Sequence, residues 1–490
     1  MGSDTAGFTA MLELHCAHVL PAADAPVGGA HTIRIEADRI AAVETAKPAS
    51  RRLLALPALT NAHDHARVVS TTAYGGAGKP LETWIPYLAL LPSVDPYLAA
   101  AVSLSRSALG GAGAIMVHYT RVQGLTDLPT EVAEVARAAR DVGVRVGFAV
   151  AMRNRNPLVY GDSEPILAAL SPPAREEIRQ RFLRPPLPVD AQIALVDAVA
   201  AAAANPMFDV QYGPQAVQWC THELLEAIAR ASERTGRRIH MHLLETRTQR
   251  AWLDANYPGG ILKFLDSIGL LSPRLTLAHC TWARPDELEL IAERGATISV
   301  NTSSNLHLRS GIAPLKEMVK RGCRVALGLD GSTLDEDDDA LREMRLAHFL
   351  HQGTAFTTDV SRPAMLRMAF QTGRLSVTNK DDGGAIGSGA PADMLVLDWD
   401  AVDAERLRAD LDPCALLFAR TTMRHIHELI VAGRSVVREG RILGVDYPAM
   451  RDDLLARLRG SMAQNAPLAS ALTELERVVA THYQSEPPCC

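Results

Sequence analysis

Apolar and polar positions along the chain fall into two textures. Residues 8–55 contain short alternating segments, as at 32–35 and 40–43, which predict half-buried strands. The same texture returns at 392–397 and 426–437, where Gly433 marks a turn. Between these ends, short β-rich apolar runs alternate with longer stretches of helical periodicity. That rhythm predicts β/α units built on a parallel sheet. Eight runs qualify as strands: residues 53–59, 114–118, 144–150, 208–211, 238–242, 275–279, 297–300 and 325–330. Helices are predicted between them, for example at 129–142, 221–235, 285–294 and 314–321, with start signals such as Thr221 with Glu223 and Pro285 with Glu287.

Eight such units across residues 56–385 have the size and rhythm of a TIM (β/α)8 barrel with insertions. The alternative is a doubly wound open sheet, but no G-x-G-x-x-G follows the first strand. Residues 171–188 hold SPP, RPP and LP, which predicts a loop over one end of the barrel. The last forty or so residues, 451–490, read as a helical tail that frays after Tyr483.

Composition narrows the class. With 490 residues, 47% hydrophobic and 22% charged, the chain is an ordinary globular protein able to bury a large core. Lys and Arg number 50 against 56 Asp and Glu, a net charge of −6, which argues against a nucleic-acid partner. No apolar run is long enough to span a membrane, and the start of the chain does not resemble a signal peptide. The seven cysteines form no C-x-x-C pair, so neither a disulfide framework nor a zinc ribbon is expected. A cytoplasmic setting is the expectation.

The chemistry sits at predicted strand ends. His63 and His65 follow strand one in NAHDHA; in extended chain, residues i and i+2 point to one side and can grip one cation. His242 ends strand five with Glu245 three residues on, His279 ends strand six, and Asp330 ends strand eight. In a barrel the C-terminal ends of the strands surround one mouth. Imidazole and carboxylate ligands meeting there with an open position make a catalytic metal site, where the ion lowers the pKa of water towards about 7. Glu245, off the metal, is placed to carry protons. A lone strand-end histidine is most often only a polar loop residue; the conjunction is what carries the reading. His240 lies one pleat deeper and reads as a core residue behind the ligands. His118 ends strand two and is a candidate pocket residue. The acidic run 335–339 reads as a solvated helix start, not a calcium loop.

These residues resemble the amidohydrolase superfamily, in particular its mononuclear deaminase and aminohydrolase branch, which includes cytosine, guanine and S-adenosylhomocysteine deaminases and s-triazine hydrolases. The resemblance lies in NAHDHA, HMHLLET, LAHC, NTSSNLHLRSGIAPL, GLDGSTLDEDDD, GAPADMLVLD and ELIVAGRSVVREGRI, which span most of the chain. It implies a distorted TIM barrel, residues 56–385, with a small β-sandwich from both chain ends, 1–55 and 386–450. It implies one divalent ion, zinc first and iron second, on His63, His65, His242 and Asp330. His279 would hydrogen-bond the attacking water or the developing oxyanion. Glu245 would protonate the ring nitrogen, and Asp330 would double as general base. It also implies a homodimer or larger homo-oligomer.

The sequence departs from that pattern in places. QYGPQAVQWC after strand four lacks the lysine of binuclear members, which favours one metal. Gln215 stands where nucleoside deaminases of the branch carry histidine, leaning towards a smaller heterocycle. Arg67, Trp84 and Tyr87 are candidate pocket residues; Arg153, with Asn154 and Arg155 after strand three, either binds an anionic or carbonyl-bearing substrate or forms surface ion pairs. In the loop after strand seven, Asn305 is a candidate substrate contact and Ser304 a candidate partner of substrate or Asp330. The leading expectation is hydrolytic deamination of an aminated purine, pterin, pyrimidine or triazine. The alternative is hydrolysis of another C–N or C–Cl bond. A non-catalytic scaffold is the remote reading.

Overall fold

The computed structural model describes residues 12–47, 50–156, 158–408 and 410–485. The chain opens with β1 (Leu12–Cys16), β2 (His18–Val19), β3 (His31–Glu36), β4 (Arg39–Thr45), β5 (Leu53–Pro57) and β6 (Leu59–Asn61). The middle carries β7 (Ala112–Tyr119), β8 (Arg145–Met152), β9 (Phe208–Pro214), β10 (Ile239–Leu243), β11 (Leu275–His279), β12 (Thr297–Val300) and β13 (Arg324–Leu327), with helices between them. Then follow β14 (Met394–Asp398), β15 (Ile426–Val431), β16 (Arg434–Arg438) and β17 (Arg441–Ile442).

Strands β6 to β13 lie in chain order in one eight-stranded sheet with parallel neighbours. The strands are continuous apolar runs, and β7 and β11 are buried at every residue, as a sheet covered by helices demands. The sheet closes just past β6: Ala62 N donates to Leu327 O at 2.8 Å, and Asp330 N donates to His63 O at 2.8 Å. The result is the expected β/α barrel.

The chain ends form two further sheets, β1-β3-β4 and β17-β16-β15-β14-β5-β2. Ile33, Ile35, Ile40, Met394, Val396 and Ile430 belong to a core of their own there. One carboxylate ties this part to the barrel. Asp393 accepts from Arg145 of β8 (Nε, 2.8 Å), from Arg374, and from Ala432 N at 2.6 Å in the β15–β16 turn.

Three expectations need correction. The run 53–59 is not one barrel strand. Its first part is β5, antiparallel to β14 and parallel to β2, and the barrel begins with β6. Pro57, which has no amide to donate, ends the first ladder. The Pro-rich segment is largely regular: Pro172–Phe182 is a helix with prolines in its first turn, where a missing N–H costs nothing. Only 183–188 run irregularly. The acidic run is not uniformly solvated, because Asp338 and Asp339 are buried; Asp339 caps helix Ala340–His351 through Arg342 N.

The tail is helical, as expected, and helix Ala466–Ser485 packs on helix Pro172–Phe182 through Leu468, Leu472, Leu475 and Val479. Glu474 accepts from Ser171 N and Oγ, and Glu476 from Lys79 Nζ and Tyr87 OH. Tyr483 OH accepts from Tyr160 N. Among the described residues no helix is long and apolar enough to cross a membrane.

Candidate metal centre and its chamber

His63 and His65 leave β6 on one side of an extended segment, with Asp64 turned the other way. Asp64 accepts from His65 N (2.7 Å), Ala66 N (2.8 Å), Gly331 N (3.0 Å) and Asn61 Nδ2 (2.7 Å), so the loop after β6 is pinned to the loop after β13. Gly328, two residues before Asp330, sits against His63: a Cβ there would lie 2.9 Å from His63 Cβ and 2.7 Å from Ser299 Oγ. Left-handed backbone clusters at these strand ends. Ala66 (φ +50°), Leu244 (+54°), His279 (+77°) and Asp330 (+54°) all adopt it, a conformation that non-glycine residues keep only where surrounding structure enforces it.

These turns bring four imidazoles and one carboxylate together. Asp330 Oδ1 lies 3.1 Å from His65 Nε2 and 3.4 Å from His63 Nε2. His242 Nε2 lies 3.3 Å from His65 Nε2. His279 Nε2 lies 3.6 Å from Glu245 Oε2 and 4.0 Å from Asp330 Oδ2. Two sets of donor atoms, His63 with His242 and His279, and His63 with His65 and Asp330, each lie within 4.8 Å of one another.

The far side of each ring is held. His65 Nδ1 donates to His118 O (2.8 Å), and His242 Nδ1 to Gln215 O (2.7 Å). His279 Nδ1 meets Asn305 Oδ1 at 2.9 Å, and His63 Nδ1 meets His240 Nε2 at 2.8 Å. Such contacts fix ring orientation and turn the other nitrogen to the ligand side. Ser304 Oγ donates to Asp330 Oδ2 at 2.5 Å.

Burial drives the His63 pKa down to about 3, against the pull of Asp330. Burial, then the neighbouring His118 and His63, takes His242 well below the usual histidine range. Burial thus favours the neutral form of both rings, which has a lone pair to offer. For Asp330 burial works upward, but its contacts with His63 and then His65 outweigh it and hold its pKa well below the usual carboxylate range. Glu245 moves the other way: burial first, then the Asp330 charge, raises its pKa well above the usual range.

The centre forms the floor of a chamber of about 620 Å³. Trp84, Ile85, Leu88, Phe182 and Trp219 supply apolar wall. Arg67 lies under Trp84, its guanidinium 4.6 Å from the ring centroid and Nη2 3.7 Å from Asp330 Oδ1. Of the sequence-predicted pocket residues, Arg67, Trp84, Arg153 and Gln215 line this chamber.

Two do not. His118 is fully buried, with its Nε2 donating to Gly213 O and its carbonyl holding His65. Asn305 is also buried, and its side-chain oxygen is spent on His279. Both sit behind the histidines: His118 near the end of β7 faces the packing beneath the mouth, and Asn305 lies in the short helix Thr302–His307 that follows β12. Tyr87 is turned to the tail helix through Glu476. Sequence reasoning missed Asp64, although its place between two histidines was a signal. It also missed Trp219 and the rim residues Arg121, Phe182 and Arg184, which no local pattern marks.

Residues 54–436 match the sequence profile of the amidohydrolase family. A 5'-deoxyadenosine deaminase of Methanopyrus kandleri is 31% identical over 241 residues, which are 49% of this chain and 55% of that protein. The match thus spans about half the length of that relative. Among solved structures, a triazine hydrolase variant superposes with a TM-score of 0.75 at 21% identity, covering 91% of this chain and 99% of that one. An adenosine deaminase from Xanthomonas campestris with bound zinc gives a TM-score of 0.74 at 20% identity, covering 91% and 98%. At these identities the superpositions speak to the fold.

Proposed function

Since the chain belongs to the amidohydrolase family, we propose that it is a metal-dependent hydrolase that deaminates an aminated N-heterocycle. The observation that carries this reading is the set of buried atoms facing one point without a hydrogen-bond partner: His63 Nε2, His279 Nε2 and Asp330 Oδ1. Buried polar atoms are rarely left unpaired: a divalent cation satisfies His63 Nε2 and Asp330 Oδ1, and an oxygen of the attacking water or substrate satisfies His279 Nε2. We assign His63, His65, His242 and Asp330 as ligands. Zinc is the first choice, since neutral imidazoles and a carboxylate suit it and the Xanthomonas adenosine deaminase holds zinc.

When bound, such an ion supplies Lewis acidity and lowers the pKa of a water towards about 7. This chain's own groups do the rest. Glu245, on the floor and free of the ligand set, delivers a proton to the ring nitrogen as the carbon beside it becomes tetrahedral. His279, oriented by Asn305, points Nε2 at the same region and hydrogen-bonds the new oxygen. Asp330 takes the proton given up by the attacking water and passes it to the departing nitrogen. The apolar wall of Trp84 and Trp219 packs the ring faces and keeps bulk water away.

The test is ammonia release by the metal-loaded protein from a panel of aminated purines, pyrimidines, pterins and triazines. At least one ring should turn over. No ammonia from any ring, together with cleavage of a cyclic amide, would move the reading to an amidase.

A further inference from the structure

The chamber carries more positive charge than the chemistry on its floor uses. Five arginines line it: Arg67, Arg121, Arg153, Arg181 and Arg184. The acidic residues in its lining are Glu245 and Asp330, both on the floor. Arg67 is committed to Asp330 and Trp84. The other four have no carboxylate within ion-pair distance among the described residues. Elsewhere some buried guanidinium groups in this chain find carboxylates, as Arg145 finds Asp393 and Arg250 finds Glu287, whereas Arg238 bonds only Thr276 Oγ1.

Two rim arginines, Arg121 and Arg153, are half-buried in loops. Arg121 donates to Leu91 O (2.6 Å), Pro92 O (2.8 Å) and Gln123 Oε1 (3.1 Å), which orient its guanidinium without neutralising it. Arg153, just past β8, has no side-chain hydrogen bond to a described residue. Burial lowers the pKa of both. Holding a cation out of water without a counter-ion is costly unless a ligand supplies the charge. Arg181 donates to Ala89 O, and Arg184 extends the positive rim outwards in the irregular segment 183–188. The volume agrees: pockets of roughly 300–1,000 Å³ accept drug-sized ligands, and a single six-membered ring would leave most of this one vacant.

We propose that the substrate carries an oxyanion, a carboxylate or a phosphate, which seats on Arg121 and Arg153 at the rim while the aminated ring lies on the histidine floor. This rests on reading the chamber as the catalytic pocket and adds the class of substrate it selects. Planar guanidinium groups pair with carboxylate and phosphate through two parallel hydrogen bonds, which fixes the ligand's direction as well as its charge. A ring without such a group lacks that anchor and occupies the chamber in several orientations.

The test needs binding alone. Trp84 and Trp219 line the chamber, so their fluorescence reports occupancy by benzoate, phenyl phosphate and the neutral benzamide, titrated into metal-loaded protein. At least one anion should bind roughly tenfold or more tightly than benzamide, and the better one names the headgroup. In the double variant Arg121→Gln, Arg153→Gln that preference should collapse towards one. Arg184→Glu, on the exposed rim, should weaken the anions in a chain whose folding it leaves intact. Anions binding no better than benzamide to the wild-type protein would overturn the proposal. So would a preference that survives the double variant, because the anion would then be held on the floor. Binding is read without turnover, so a failed ammonia assay and a failed titration count against different readings.

Discussion

The amide of Asp330 donates to the carbonyl of His63 at 2.8 Å, and the side chains of the same two residues bring Oδ1 and Nε2 to 3.4 Å. The bond that closes the barrel and the contact that opens the candidate metal centre therefore belong to one pair. Asp330→Asn should reduce bound metal, measured by elemental analysis, and turnover together. Chelation of the wild-type protein should lower its melting temperature, because metal bound only to the folded state stabilises by mass action. Unchanged metal content and rate in Asp330→Asn would place Asp330 outside the site.

Glu245→Gln keeps the shape of the side chain and removes the proton it carries. Metal content and melting temperature should stay at wild-type values while kcat falls by about 10²–10⁴. Undiminished turnover would remove Glu245 from the mechanism.

Asn305 touches His279 and does not line the chamber. Asn305→Ala should cost about 10–100-fold in kcat, the range for groups that orient a working histidine. Asn305→Asp, which restores an acceptor for Nδ1, should recover part of that loss. Equal rates in the two variants would mean that the acceptor oxygen does not matter.

Glu343 is buried behind the short helix Thr302–His307 after β12, where it accepts from Ser303 N at 3.0 Å and from Ser303 Oγ. Burial raises its pKa from the ordinary 4.5 to about 7. A raised folded-state pKa means that its contribution is fully present below about pH 4.5 and is lost as pH rises through about 7. The full swing is about 3 kcal/mol. Glu343→Gln should therefore gain stability relative to wild type between pH 5 and pH 8 in denaturant melts. Parallel pH curves for the two proteins would show that Glu343 does not titrate in this range.

Much of the barrel and the core of the candidate site was legible in the sequence because both reside in local pattern. A run such as LTLAH announces a buried strand by its apolar residues and a mouth-facing group by the polar residue that ends it. What stayed hidden depends on distant chain. Nothing in LLALPALT says that its first half pairs with β14, some 340 residues away, while its second half opens the barrel. Helix Pro172–Phe182 was masked by its own proline-rich start, and its place is set by the tail helix packed on it. His118 near a strand end and Asn305 in the short helix after β12 carry the right chemistry, but which way each side chain turns is decided by packing from neighbouring elements. The arginine rim is assembled from three separate loops, so no window of sequence contains it.

The knot at Asp393 constrains how substrate gets in. Arg145, Arg374 and the amide of Ala432 converge on that one carboxylate, locking the terminal sheets to the barrel at a joint with no slack. A hinge between the two parts would have to break these contacts. The segments around the mouth include two that run without regular structure, 120–127 and 183–188, the second beside the tail helix.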